Sequence, residues 1–209
     1  EQMSKNKKEQ ETGGTAVSTQ PKAMNVGSLD SKYIVRLTAT LLVICAVTAL
    51  LLGVVNQITA PIITQMQEEK TRAAMAQVLA ADSYEPLSTE TPGVTALYRA
   101  VSGGKDAGYV AEVAANGFGG GINMVVGIDA SGAVTGVAVT KQSETQNIGS
   151  KVVSDQSVLD RFIGMSHGGG PITVNSGSNR FDGVSGATVS SKGVTAGVNA
   201  ALDAVKSYQ

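Results

Sequence analysis

The sequence predicts an α+β protein in which one membrane-spanning helix precedes an antiparallel sheet with flanking helices. Three patterns lead to this prediction. No charged residue occurs between Leu37 and Gln67. Two apolar runs of the kind that form strands lie on either side of a turn signal between Ile122 and Val139. Further along, apolar residues recur at the spacing of an amphipathic helix, at Val194, Val198, Leu202 and Val205.

Composition excludes several classes of function. The net charge is −1, tryptophan is absent and no dense basic block occurs, which argues against nucleic acid as a partner. Cys45 is the only cysteine and His167 the only histidine. The sequence therefore has no disulfide within the chain and no cluster of cysteines or histidines for a metal or iron–sulfur site. A redox cofactor, if present, has to be organic and held by hydroxyls, amides and the backbone.

The first 30 residues are polar and are predicted to form a disordered tail. The run from Leu37 to Val55 is long enough to cross a bilayer, which needs about 20 residues. We predict an uncleaved transmembrane helix over residues 34–58. A signal peptide is one alternative, although its apolar region is shorter, about 7–15 residues. A buried core helix is another, although the run has no polar face.

Charges on either side of this helix predict its orientation. Lys22, Lys32 and Arg36 precede it, and Glu68 and Glu69 are the first charges after it. Because positively charged flanks stay in the cytoplasm, the tail is predicted to be cytoplasmic and the remainder of the chain extracytoplasmic. The expected location is the cytoplasmic membrane, crossed once.

A second, membrane-proximal helix is predicted over residues 59–82, since Pro61 suits the first turn of a helix. Two prolines then predict a loop from Ser83 to Gly93. The folded domain is expected over residues 95–209.

Three strands are predicted early in this domain. Tyr109–Val113 is the first, and Ile122–Ile128 and Ala133–Val139 form an antiparallel hairpin around the turn signal Asp129–Gly132. Before the hairpin, Gly117–Gly121 predicts a tight turn, because it lacks the spacing of a P-loop or a dinucleotide fingerprint.

The segment Asp182–Ser191 packs two glycines, three serines and one threonine ahead of the amphipathic helix. Ser190 and Ser191 stand where a helix N-cap is expected. Thr188 is then predicted to lie just before the helix N-terminus, where free N–H groups and partial positive charge favour a phosphate. A plain Gly/Ser turn into a helix is the alternative.

The hexapeptide Ser185-Gly186-Ala187-Thr188-Val189-Ser190 resembles the S/T-G-A-T-x-S/T signature of the FMN-binding domain family found in the Rnf and Nqr ion-pumping redox complexes. In that family the threonine carries FMN through a phosphoester bond. The resemblance implies covalent FMN, and hence a phosphorylated residue, at Thr188. The surrounding cofactor-binding residues would be Ser185, Gly186, Ala187, Val189 and Ser190.

The segment Ser143–Gly149 is similar to the E-T-P-G-L-G segment of the same family, which lines the flavin. Glu144, Thr145 and Gly149 match it, whereas Gln146-Asn147 replaces Pro-Gly. The resemblance implies that these three matching residues bind the cofactor. An anion such as Glu144 beside the ring would disfavour reduced, anionic flavin. An exposed polar loop is the alternative interpretation.

Together with the glycine turn and its hairpin, these motifs occur in family order over about residues 34–206. The whole is most similar to the G subunits of Rnf complexes, with the C subunits of the Na⁺-translocating NADH:quinone reductase as the alternative. The resemblance implies an electron-carrying subunit, without stand-alone activity, of a complex that couples ferredoxin–NAD chemistry to Na⁺ or H⁺ transport. It also implies other membrane and redox subunits as partners, and a flavin transferase for maturation.

Two other classes of function fit parts of the sequence. A membrane-anchored extracytoplasmic binding module with no redox role has the same architecture. A serine hydrolase is suggested by His167–Pro171, which resembles an oxyanion loop, and by Gly183–Ala187, which half resembles a nucleophile elbow. That fold needs a histidine after the nucleophile, and none follows Ser185, so we reject a hydrolase. His167 is expected in a surface loop.

Overall fold

The structure is a computed structural model that describes residues 31–208. The predicted disordered tail, residues 1–30, lies outside the described residues. The chain divides into two compact units between Asn56 and Gln57. The elements are, in chain order, α1 (Ser31–Val78), β1 (Ser83–Leu87), β2 (Val94–Ser102), β3 (Lys105–Asn116), β4 (Gly121–Asp129), β5 (Val134–Gln142), α2 (Ser150–Val153), α3 (Gln156–Leu159), 3-10 turns at Asp160–Phe162 and His167–Gly169, β6 (Thr173–Val174), β7 (Arg180–Phe181) and α4 (Thr188–Val205).

Helix α1 is a single helix of 48 residues with Pro61 in its interior. The prediction of a separate helix over residues 59–82 is therefore wrong. A proline in a helix costs about 3 kcal/mol through one lost hydrogen bond and a clash, and the helical residues on both sides outweigh that cost here. Three residues after the proline, the hydroxyl of Thr64 donates to the carbonyl of Ala60 at 3.1 Å.

The apolar part of α1 has the length and composition that a membrane span requires. Its most apolar 18-residue window has a mean hydropathy of 2.5, and none of that window is buried in the protein. Within residues 31–208 it is the one helix that meets these criteria.

The five long strands form one antiparallel sheet in the order β1-β2-β3-β4-β5. The predicted hairpin is confirmed, since β4 pairs with β5 and places Val126 opposite Val137. The predicted loop from Ser83 is wrong in its first half, because β1 pairs there with β2. Proline lacks the N–H that a central strand needs, but Pro86 lies in an edge strand, where one side has no strand partner.

Helices cover both faces of this sheet, which confirms the α+β class. On one face, the last turns of α1 pack through Ala74, Met75 and Val78. The approach is close, since a Cβ on Gly127 would lie 2.7 Å from the carbonyl oxygen of Val78. On the other face, α4 buries the stripe predicted from the sequence, each residue at most 4% exposed: Val194, Val198, Leu202 and Val205.

The connection that leads into α4 is fixed on the core by a pair of stacked rings. Phe162 and Phe181 are fully buried, and their ring centroids lie 4.1 Å apart at an interplanar angle of 10°. The neighbouring Arg161 donates from Nη1 to the carbonyl of Asp182 at 2.8 Å. The segment between β7 and α4 is thus held at its start, close to the residues of the predicted site.

Replacing Asp129 by alanine is expected to destabilise the domain by about 1–2 kcal/mol. Its Oδ1 accepts hydrogen bonds in the β4–β5 turn from the amides of Ser131 and Ala133, at 2.8 and 3.0 Å, and from the Ser131 hydroxyl at 2.6 Å. Partial burial raises the pKa of Asp129, but these hydrogen bonds outweigh it and hold the pKa below its usual value.

The loss of stability in Asp129→Ala should depend on pH. A carboxyl whose pKa is lowered by folding stabilises the protein above its unfolded pKa, about 3.9, and this stability is lost as the pH falls through the folded pKa. Denaturant unfolding of wild type and Asp129→Ala should therefore differ at neutral pH and converge in acid. Asp106→Ala, at an exposed position of β3, is the control. A difference that does not change with pH would contradict this account.

Candidate functional site

Thr188 is the first residue of α4, and its side chain is exposed. Ala187 precedes it, and no side chain caps the helix. The hydrogen bond from the backbone amide of Ser191 to the carbonyl of Ala187, at 2.9 Å, begins the helical hydrogen-bond pattern of α4. The amides of the first turn, which have no partner within a helix, and the positive end of the helix dipole therefore favour an anion beside Thr188.

Ser190 and Ser191 do not cap this helix, so that prediction is wrong. Because α4 begins at Thr188, both serines lie inside the helix, and each is at most 1% exposed. The Ser190 hydroxyl donates to Oε2 of Glu144 at 2.9 Å. The Ser191 hydroxyl accepts from the amide of Val184 at 3.2 Å. Both side chains hold neighbouring segments against the start of α4.

The residues just before Thr188 leave its hydroxyl accessible. Ser185 and Gly186 are exposed, whereas Ala187 is buried at 3% exposure. Gly186 has a φ of +79°, a left-handed conformation that favours glycine, and a Cβ there would meet nothing within 4 Å. The backbone thus turns sharply into the helix with open space on its outer side.

The predicted glycine turn and the predicted Glu-Thr loop meet at one side chain, Glu144. Its Oε1 accepts from the amide of Phe118 at 2.9 Å, and its Oε2 accepts from the amide of Gly119 at 3.3 Å. A Cβ on Gly117 would lie 1.7 Å from Oε1, and one on Gly149 would lie 2.0 Å from Oε2. Since Oε2 also accepts from Ser190, Glu144 joins the turn, the loop and the start of α4.

The loop after Glu144 leaves Thr145 exposed, and Gly149 is buried. Asn147, which replaces a glycine of the family segment, has a φ of +63°. Among non-glycine residues, asparagine tolerates this conformation best. The backbone amide of Asn147 donates to the Ser150 hydroxyl at 2.9 Å. The departure from the family sequence therefore keeps a residue that suits a left-handed backbone at this point.

Sequence reasoning missed two side chains in this region. Phe118 is 70% exposed in the glycine turn, and Ile148 is 50% exposed in the loop. Val189, which follows Thr188, is 51% exposed. The sequence did contain a signal for Phe118, because it lies between two glycines. Its neighbours have no side chains to pack against, which favours an exposed ring.

His167 lies apart from these residues. It begins a 3-10 turn, and its Nε2 is 2.7 Å from Oδ1 of Asp203 in the last part of α4. Its side chain is 19% exposed, so it is more buried than the predicted surface loop. Partial burial raises the pKa of Asp203, but the hydrogen bond from Lys206 and the nearby charge of His167 hold that pKa below its ordinary value.

The residues around Thr188 fit a phosphate-bearing organic cofactor such as FMN. They combine an accessible hydroxyl, an uncapped helix N-terminus and exposed apolar side chains on neighbouring segments. Residues 31–208 contain no group of three or more histidine, cysteine or acidic side chains arranged to hold a metal ion.

Two family models match this chain. The FMN-binding domain model covers residues 117–203, which include the glycine turn, Glu144 and the start of α4. The model of the RnfG N-terminal region covers residues 24–78.

Two relatives match this chain along nearly their whole length, and both are G subunits. The G subunit of the Na⁺-translocating ferredoxin:NAD⁺ oxidoreductase complex from Acetobacterium woodii is 30% identical, over 83% of this chain and 92% of that protein. The G subunit of the ion-translocating oxidoreductase complex from Methanosarcina acetivorans is 32% identical, over 86% of this chain and 98% of that protein.

Among solved structures, two similar ones are C subunits of the Nqr complex. The C subunit of the Na⁺-translocating NADH-quinone reductase from Parabacteroides distasonis is 20% identical, with a TM-score of 0.43 over 54% of this chain and 60% of that chain. NqrC from Shewanella oneidensis is 17% identical, with a TM-score of 0.46 over 63% of this chain and 70% of that chain. The match along nearly the whole length of the two relatives decides the family: this chain belongs to the G subunits of the Rnf-type ion-translocating oxidoreductase complexes, and it contains their FMN-binding domain.

Proposed function

We propose that this chain carries FMN through a phosphoester bond at Thr188 and passes electrons within an ion-translocating ferredoxin:NAD oxidoreductase complex. The observation that carries the proposal is the position of Thr188, an exposed hydroxyl on the first residue of an uncapped 18-residue helix. The signature residues around it, Ser185-Gly186-Ala187 and Val189-Ser190, complete the proposed site.

The phosphoester would be stabilised by the start of α4. A phosphate on Oγ1 of Thr188 would lie close to the first-turn amides, and favourable interactions of an anion with a helix N-terminus are typically about 0.3–1 kcal/mol. Thr145 and Gly149 would line the cofactor from the neighbouring loop, the first through its exposed hydroxyl and the second by permitting close approach.

The bound FMN would supply the redox chemistry, accepting and passing electrons. The chain itself would fix the position of the cofactor and limit its contact with water. A separate flavin transferase is expected to form the ester bond from a flavin dinucleotide. Oγ1 of Thr188 would lose its proton and bond to the phosphorus of the FMN half, and the phosphoanhydride bond would break to release a nucleoside monophosphate.

The partners follow from the related complexes. The Acetobacterium woodii relative is named for Na⁺ translocation and for ferredoxin:NAD⁺ oxidoreductase activity, and a relative from Clostridium ljungdahlii is named for proton translocation. We propose the same reaction class here, with the other subunits of the complex as electron donor and acceptor, and no separate activity for this chain.

Mass spectrometry of the denatured protein, extracted from membranes of its native host, tests the covalent bond. The expected mass is that of the chain plus FMN less one water, with the added mass on the peptide that contains Thr188. A denatured protein of unmodified mass and without flavin fluorescence would favour an extracytoplasmic binding module with no redox role.

The FMN-binding domain is proposed to lie outside the cytoplasm, with residues 1–30 inside. The support is the charge pattern, with Lys32 and Arg36 before the apolar part of α1 and Glu68 and Glu69 after it. Protease added to intact spheroplasts should digest the domain and spare the tail, whereas inverted vesicles should show the opposite. Protection of the domain in spheroplasts would mean that the orientation is reversed.

A further inference from the structure

Glu144 is a buried acidic side chain. Among the residues that the structure describes, the buried polar side chains are Glu144, Ser190, Ser191 and Thr195, and only the first of these is acidic. Its exposure is 7%. A buried carboxylate is costly unless it is paired or hydrogen-bonded, so its partners indicate what it does.

Those partners all belong to the protein, and none is a cation. No ion pair of the described residues includes Glu144. Its oxygens instead accept from the amides of Phe118 and Gly119 and from the Ser190 hydroxyl, at 2.9, 3.3 and 2.9 Å. Hydrogen bonds to a charged acceptor are about twice as strong as neutral ones. Both oxygens are therefore occupied by donors from two segments that are distant in the sequence.

The segments joined in this way carry most of the exposed apolar side chains that follow α1. Within residues 79–208, five large apolar side chains are exposed, namely Phe118, Ile148, Ile163, Val189 and Tyr208. Phe118 donates its own amide to Glu144. Ile148 precedes Gly149, and Val189 precedes Ser190, both of which adjoin the carboxylate. Three of the five thus lie on or next to residues that adjoin Glu144.

We propose that Glu144 is a positioning residue: its carboxylate fixes the glycine turn against the start of α4 and so sets where Phe118, Ile148 and Val189 lie around Thr188. The inference rests on the proposed function, since the planar apolar ring of a flavin attached to Thr188 is the group that these side chains would contact. Glu144 then acts through the protein, and its charge does not face the ring.

Two substitutions distinguish an effect of Glu144 on the position of the surrounding segments from a direct effect of its charge on the flavin. Glu144→Gln keeps the shape but places an NH₂ donor where one oxygen now accepts, so at least one of the amide or hydroxyl donors loses its acceptor. Ser190→Ala removes one donor and leaves the carboxylate charged. Glu112→Gln is the matched control, because Glu112 is a half-buried carboxylate that accepts from the Tyr98 hydroxyl at 3.0 Å.

Hydrogen exchange tests the contact between Glu144 and the glycine turn without any flavin. It is measured on the full-length protein in detergent, with Thr188→Ala as the background. Peptides that cover residues 116–122 should exchange about tenfold faster or more in Glu144→Gln, as expected for the loss of hydrogen bonds to a charged acceptor. They should also exchange faster in Ser190→Ala, and at the wild-type rate in Glu112→Gln. Unchanged exchange in Glu144→Gln would overturn the proposal.

The flavinylated protein provides the second readout. If Glu144 positions the site, Glu144→Gln and Ser190→Ala should change the visible circular dichroism of the flavin in the same direction. The midpoint potential should shift no more in Glu144→Gln than in Ser190→Ala. A potential that shifts in Glu144→Gln alone would mean that the charge acts on the ring directly, which overturns the proposal. Wild-type protein without covalent flavin would refute the proposed function, while the exchange experiment would still decide the role of Glu144.

Discussion

Thr188→Ala is expected to remove covalently bound FMN completely. The substitution deletes the only atom, Oγ1, through which this residue can form a phosphoester, and it leaves the helix start otherwise intact because the side chain is exposed. Flavin fluorescence of the denatured protein, together with its mass, measures the effect. The fold should be retained, since exposed substitutions usually change stability by less than about 0.5 kcal/mol.

Two variants make this result specific. Ser102→Ala removes an exposed hydroxyl at the end of β2, outside the proposed site, and should keep covalent flavin. Thr188→Ser keeps a hydroxyl at the same position and should retain at least part of it. If the Thr188→Ala protein still carries covalent flavin, the attachment site lies elsewhere in the chain.

Gly193→Ala is expected to weaken both the fold and the site. In an exposed helix this change would stabilise the protein by about 1 kcal/mol through helix propensity. Here the new Cβ would lie 2.4 Å from the carbonyl oxygen of Asn116, a backbone atom at the end of β3. Overpacking of this kind costs about 1–3 kcal/mol. Because the backbone of α4 or β3 has to move, we expect net destabilisation and reduced flavin attachment at Thr188.

Denaturant unfolding and flavin content should be measured on the same preparations. Ala196→Gly is the control, because residue 196 is exposed on α4 and the change costs about 1 kcal/mol by propensity alone. It should lower stability without reducing flavin content. Equal flavin content in Gly193→Ala and wild type would show that the close approach of α4 and β3 does not position the site.

Local patterns predicted much of the fold. The hairpin of β4 and β5 and the buried stripe of α4 follow from apolar spacing, which the side chains obey because one face of each element is buried. The failures have local causes as well. Pro61 indicated a helix start and Pro86 a loop, but the first lies within a helix that continues on both sides and the second in an edge strand.

The candidate site was only partly predictable. The signature around Thr188 could be recognised because its residues are contiguous. The partners of Glu144 could not be, because they come from residues 118–119 and 190, which only the folded sheet and α4 bring together. The serines near the start of α4 were misassigned as caps, since the sequence alone does not indicate that they face a buried carboxylate or a neighbouring backbone amide.

The consecutive order of the sheet has a consequence for how the domain folds. Each strand from β1 to β5 pairs with the next strand along the chain, so the sheet can form through contacts of short sequence separation, which favours rapid folding. The contact between Ser190 and Glu144 spans 46 residues, and closing so long a loop is entropically less favourable. We therefore expect the surroundings of Thr188 to assemble late, when α4 docks on a sheet that has already formed. Attachment of a cofactor at Thr188 would then report that folding is complete.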